Sequence, residues 1–158
     1  MKQALVFVSF IVVVLLLGFL FFSYTDELSA PSGFAGFEKT VCVNVSCFNV
    51  EIADTDEKRK IGLMYREELD EAEGMFFIFP EEGIYPFWMK NTLIPLDIIW
   101  IDNSKRVVFI YKNSQPCGAG ECPSINPGVN AQYVLEINAG FSDNLGINVG
   151  DTVIFETK

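Results

Sequence analysis

Histidine is absent from this chain. That removes Ser-His-Asp triads, Cys-His dyads, the H-E-x-x-H metalloprotease motif and every histidine-bound metal site. Phosphate-cradling loops are missing too: neither G-x-G-x-x-G nor the Walker pattern occurs. Basic residues are scarce, 11 Lys+Arg against 21 Asp+Glu. So acidic a chain is a poor match for nucleic acid or anionic lipid headgroups, and no nucleic-acid partner is expected. Any catalysis would have to rest on carboxylates, Lys, Arg, Tyr or Cys. There is no internal repeat.

One long apolar run is present. Ala4 to Phe22 is nineteen residues without a charge, and Ser9 is its single polar side chain. At about 1.5 Å per residue such a helix spans roughly 30 Å, the hydrocarbon thickness of a bilayer. A buried core helix is rarely apolar all round for that length. Lys2 precedes the run, and Asp26 and Glu27 are the first charges after it. Positive residues stay cytoplasmic, so residues 1–3 are expected inside, 4–22 as a transmembrane anchor at the cell membrane, and the rest outside the cytoplasm. A cleaved signal peptide is the competing reading. The run exceeds the usual apolar region of about 7–15 residues, and the best small-residue cleavage point, Ser29-Ala30, is followed by Pro31. An uncleaved anchor is therefore favoured, and either reading exports the domain. Residues 23–38, rich in Ser, Gly, Pro and Ala, read as a linker. Residues 39–158 remain, enough for one modest core.

Four cysteines form two C-x4-C pairs, Cys42 with Cys47 and Cys117 with Cys122. In an oxidising compartment an even count reads as disulfides, with three connectivities open. Local pairing is preferred, which for Cys42 and Cys47 requires a turn or bulge near Asn44-Val45-Ser46, also a glycosylation sequon. A four-cysteine zinc site is the alternative, disfavoured by the wide spacing and the oxidising compartment.

Hydrophobic patterning gives mostly strands. Thr40–Ile52 reads as a strand or tight hairpin, and Met75–Phe79, Phe87–Met89, Asp97–Asp102, Arg106–Lys112, Gln132–Asn138 and Thr152–Glu156 as extended segments. Asp54 with Glu57 resembles a capping pair that opens a helix, with Ile61, Met64, Tyr65 and Leu69 on one face and Gly74 after it. Pro80–Pro86 reads as an acidic turn, and 113–130 as a long loop. The expected class is α+β: a mostly antiparallel, small barrel-like or rolled sheet with one principal helix, plus the N-terminal transmembrane helix.

The unusual stretch is Phe87-Trp88-Met89-Lys90-Asn91-Thr92-Leu93-Ile94-Pro95-Leu96-Asp97. A tryptophan beside a cation and an amide suits the wall of a small-molecule site. A plainer reading pairs Lys90 with Asp97 across a turn while Asn91 caps backbone. Together with Arg59, Gly62-Leu63-Met64, Arg66, Gly74-Met75, Tyr133-Val134-Leu135-Glu136, Ala139-Gly140 and Val149-Gly150-Asp151, this stretch resembles the family known as domain of unknown function 192. The resemblance covers about residues 40–157. It implies a β-rich α+β domain, often exported, with no settled activity. Its motif positions fall here on Arg59, Arg66, Trp88, Lys90, Asn91, Asp97 and Glu136. The pair Cys117 and Cys122 resembles a cysteine-bearing loop in some members; Cys42 and Cys47 lie outside the pattern, which makes a second local bridge the better reading.

The leading functional expectation is a binding module in which Trp88, Lys90 and Asn91, with Arg59 or Arg66, hold a small anionic or carbohydrate-like ligand. Arg59 and Arg66 would share a face if one helix carried both. A hydrolase would need an acid–base pair from Asp97 with Asp102 or Glu136. A copper(I) carrier would draw on Met64, Met75 and Met89 with cysteines, although methionine is also a common core filler. A partner-binding role in an envelope complex is the fourth reading. No cofactor and no resident metal are expected.

Overall fold

Val41, Val43, Phe48, Val50 and Ile52 alternate with polar residues, the period of a strand with one covered face. In the computed structural model, which describes residues 39–118 and 121–156, they build an antiparallel hairpin of β1 (Lys39–Val43) and β2 (Ser46–Ala53). Asn44 turns the chain at φ 53°, a left-handed conformation that asparagine tolerates. The turn sets Cys42 opposite Cys47, and the two are disulfide-bonded. The second bridge joins Cys117 to Cys122. Local pairing is thus what forms.

After β2 the chain enters α1 (Asp56–Ile61). Its cap is Thr55, whose hydroxyl accepts from the Lys58 amide, and not the anticipated Asp54. The helix is six residues long and stops at Gly62, well short of the expected stretch through Leu69. Gly62 has φ 51° and ψ −136°, and a Cβ there would lie 3.3 Å from the Phe77 ring. The helical periodicity of Met64, Tyr65 and Leu69 was overridden by that glycine and by Tyr65 at φ 63°.

The return strand β3 (Glu73–Gly83) runs parallel to β2, with α1 in the crossover. It continues through Pro80, where a turn was expected, because its register with β6 shifts between Ile78 and Gly83 and the bulge accommodates the proline. β4 (Leu96–Ile101), β5 (Val107–Ser114), β6 (Ala131–Asn138), the short α2 (Phe141–Asn144) and β7 (Val153–Ile154) follow. The sheet order is β5-β4-β6-β3-β2-β1-β7, antiparallel except at β2–β3. Phe87–Met89 is not a strand; Phe87 makes an isolated bridge with Ile125. The final strand is two residues long, with Thr152 bridged to Arg106. Through that bridge, and through bonds between Val107 and both Gly150 and Asp151, the start of β5 meets the segment entering β7. The fold is mostly-strand α+β: a curled half-barrel sheet with few helices.

The central strands are apolar on consecutive residues because both faces are covered. Phe76, Ile99, Ile101, Leu135 and Ile137 join one core with Val41, Phe48 and Val50. Met75, Phe77, Ile98, Trp100 and Val134 join a second with Leu63, Met89 and Ile94. Each large side chain buried this way contributes about 1.5–3 kcal/mol. The expected anchor 4–22 and linker 23–38 lie outside the described residues; among the described residues no helix is long and apolar enough to cross a membrane.

Candidate functional site

Three elements meet over the second core. The C-terminal half of α1 runs into the loop Gly62–Tyr65, the segment Trp88–Leu93 crosses beside it, and β6 passes beneath with Glu136. Arg59, Lys60, Ile61, Gly62, Leu63, Met64, Phe77, Phe87, Trp88, Lys90, Thr92 and Glu136 line a cleft of about 30 Å³ there. Such a volume holds roughly two waters.

The two walls are fastened by Asn91. Its carbonyl accepts from the Tyr65 amide (2.7 Å), and its side-chain amide donates to the Tyr65 hydroxyl (2.8 Å). Asn91 (φ 57°) and Tyr65 (φ 63°) both occupy the left-handed region, and for tyrosine that is backbone strain beside the cleft. Asn91 therefore shapes the site. Arg59 anchors α1: its guanidinium donates to the Ile78 carbonyl (2.6 Å), pairs with Asp56 (2.6 Å) and lies over the Phe79 ring at 5.3 Å. Its forks are committed within the protein. Arg66 pairs with Glu51 and does not line the cleft. The helix ends between the two arginines, so they share no helical face.

Trp88 and Lys90 are exposed, with the Lys90 ammonium 5.2 Å from the centre of the Trp88 ring. Among the described residues Lys90 has no ion pair, and the anticipated partner Asp97 is elsewhere. Asp97 is fully buried and accepts from the Asn113 amide (2.8 Å), the Ser142 amide (2.9 Å) and the Ser142 hydroxyl (2.6 Å). It fastens β4 to β5 and to the start of α2.

Glu136 is the opposite case. It lies in the centre of the sheet, opposite Met75 on β3 and Ile98 on β4, and is 4% exposed. Among the described residues its carboxyl has neither a hydrogen bond nor an ion pair. Burial pushes its pKa up to about 8, so the group is mostly protonated at neutral pH. Thr92, 6% exposed, likewise has a hydroxyl with no hydrogen-bond partner among the described residues. Among the described residues no fully enclosed side-chain polar atom lacks a partner. Both residues line the cleft, and their free oxygens keep some exposure rather than being fully enclosed.

The acid–base pairs of the hydrolase reading do not assemble. Asp97 is opposite Ile137 and Glu136 opposite Ile98, so they project to opposite faces of the sheet. Asp102 accepts from the Arg106 amide as a turn cap. The soft-metal reading loses its thiolates, since all four cysteines are bridged. Met75 and Met89 are core residues, and Met64 lines the cleft. Of the expected site residues, Trp88, Lys90 and Glu136 converge with Arg59 at the edge, Asn91 supports them, and Arg66 and Asp97 lie apart. Thr92 was inside the quoted motif yet unread, because a threonine beside an apolar run usually signals only a strand.

Comparison with known proteins bears on the family and the fold. The model of the DUF192 family, described as Uncharacterized ACR, matches residues 39–155. The UPF0127 protein TK1120 of Thermococcus kodakarensis is 32% identical over 109 residues, 66% of this chain. The match spans 62% of that relative's own length. A UPF0127 protein of Thermococcus gammatolerans is 31% identical over 113 residues, 68% of this chain and 67% of the relative. A crystal structure of a protein of unknown function from Novosphingobium aromaticivorans superposes with TM-score 0.70 at 36% identity, covering 81% of this chain and 94% of that one.

Proposed function

This chain belongs to the DUF192 family of uncharacterised proteins, and from that premise we propose that its domain is a small-ligand binding module, taking the acidic head of a ligand in the cleft between Gly62–Tyr65 and Trp88–Leu93. One observation carries the reading: two nearly buried residues whose side-chain oxygens have no hydrogen-bond partner among the described residues, Glu136 and Thr92, line a cleft that Lys90 also lines. Leaving such groups unsatisfied costs about 1–3 kcal/mol each, so a ligand that satisfies them recovers that energy. At neutral pH a protonated carboxyl, a hydroxyl and an ammonium are all donors. Their complement is an acceptor, and a carboxylate fits both the size and the charge. Trp88 supplies an aromatic wall for what lies beyond the head. We place the domain outside the cytoplasm, held at the membrane by residues 4–22, on the charge pattern around that run.

Isothermal titration of the exported chain with a simple carboxylate tests the site. Binding by the parent that is lost in Lys90→Ala and weakened in Thr92→Val, both folded, supports it. Equal affinity across the three proteins overturns it.

A further inference from the structure

Surface apolar residues normally occur singly. Around this cleft they do not. Ile61 and Tyr65 on one wall are 58% and 69% exposed, and Trp88 and Leu93 on the other are 45% and 53% exposed. Ile61 and Trp88 line the cleft itself, and Leu93 follows the lining residue Thr92. Tyr65 is held in place by its two bonds to Asn91, at the expense of a left-handed backbone. Exposed apolar side chains thus stand on both flanking segments of a cleft whose lining mixes Lys60, Lys90, Thr92 and Glu136 with Leu63, Met64, Phe77 and Phe87.

We propose that the acid taken here is an amphiphile: a carboxylate with an unbranched apolar tail, its head in the cleft and its tail laid over the collar of Ile61, Tyr65, Trp88 and Leu93. The inference rests on the binding reading above and adds the ligand class. Charge complementarity selects the head. Lys60 and Lys90 line the cleft with no ion pair among the described residues, Arg59 at its edge is paired with Asp56, and the single carboxyl in the lining, Glu136, is one that burial keeps mostly protonated at neutral pH. The cleft volume of about 30 Å³ suits a carboxylate head, and exposed apolar side chains stand beside it for the remainder of the ligand.

The experiment is a chain-length series of water-soluble acids, acetate, butanoate, hexanoate and octanoate, titrated calorimetrically into the full chain in nanodiscs of zwitterionic lipid, with empty discs subtracted. Affinity is expected to rise up to about fourfold per methylene as each is removed from water. Leu93→Ser should flatten that slope while leaving acetate affinity unchanged, and Lys90→Ala should weaken every member of the series. If acetate and octanoate bind the parent equally, the amphiphile inference fails and the acid-binding reading stands. If no acid of any length binds, both fail. A slope that persists unchanged in both Leu93→Ser and Lys90→Ala would mean binding outside the cleft and would also overturn the inference.

Discussion

Replacing Glu136 with glutamine should make the domain more stable at neutral pH. Burial raises the folded-state pKa of this carboxyl from 4.5 to about 8, and the side chain is 4% exposed, so solvent screening barely tempers the shift. Between those two values the folded chain holds a proton that the unfolded chain has released. Stability therefore falls as pH rises through that window, by about 1.4 kcal/mol per pH unit where the difference is a whole proton. Across the window the loss sums to roughly 5 kcal/mol, and at pH 7 it is roughly 3 kcal/mol, a large part of an ordinary folding free energy of about 5–15 kcal/mol. Glutamine has nearly the same shape and no proton to lose. Urea unfolding of the parent and of Glu136→Gln, at pH values from 4 to 8, measures the difference directly. The two should be close at pH 4, and the variant should be ahead by roughly 3 kcal/mol at pH 7. Parallel curves at all pH values would refute the reasoning, because they would mean that Glu136 is solvated or paired in the folded state. A residue whose removal stabilises the fold is one kept for another purpose, as binding sites commonly are.

Asp97→Ala should lower stability by about 3–5 kcal/mol in chemical denaturation, since it strands the Asn113 and Ser142 amides and the Ser142 hydroxyl in the interior. Gly62→Ala should cost about 1–2 kcal/mol in the same assay, through its positive φ and a Cβ 3.3 Å from Phe77. Reduction should add four hydrogens in intact mass spectrometry, and opening each short loop should lower stability by about 2 kcal/mol. Acid binding should weaken above about pH 8, where Glu136 turns from a donor into an anion facing the ligand; titrations at pH 7 and pH 9 read that change.

The parts of the fold that depend on local pattern were legible in the sequence. The β1–β2 hairpin follows from alternation, β6 from a run of β-formers, and the two local bridges from the even count and close spacing of the cysteines. The length of α1 was not legible, because Met64, Tyr65 and Leu69 keep a helical period that the conformation of Gly62 interrupts. Nor was the bulge that lets β3 carry Pro80, since it depends on pairing with β6, some fifty residues away. At the site, the tryptophan and lysine stood out as polar–aromatic neighbours in an apolar stretch. Asp97 had the same appearance, yet its role is set by Ser142, 45 residues later. Sequence cannot tell an acid that ties loops together from an acid left open to a ligand; only the partner count separates Asp97 from Glu136.

Amide chemical-shift mapping of the isotopically labelled chain with octanoate tests the central claim most directly. The account predicts saturable shifts concentrated in Ile61–Tyr65, Trp88–Leu93 and the stretch of β6 around Glu136, absent in Lys90→Ala. Shifts scattered over the surface, or gathered away from those three segments, would contradict it.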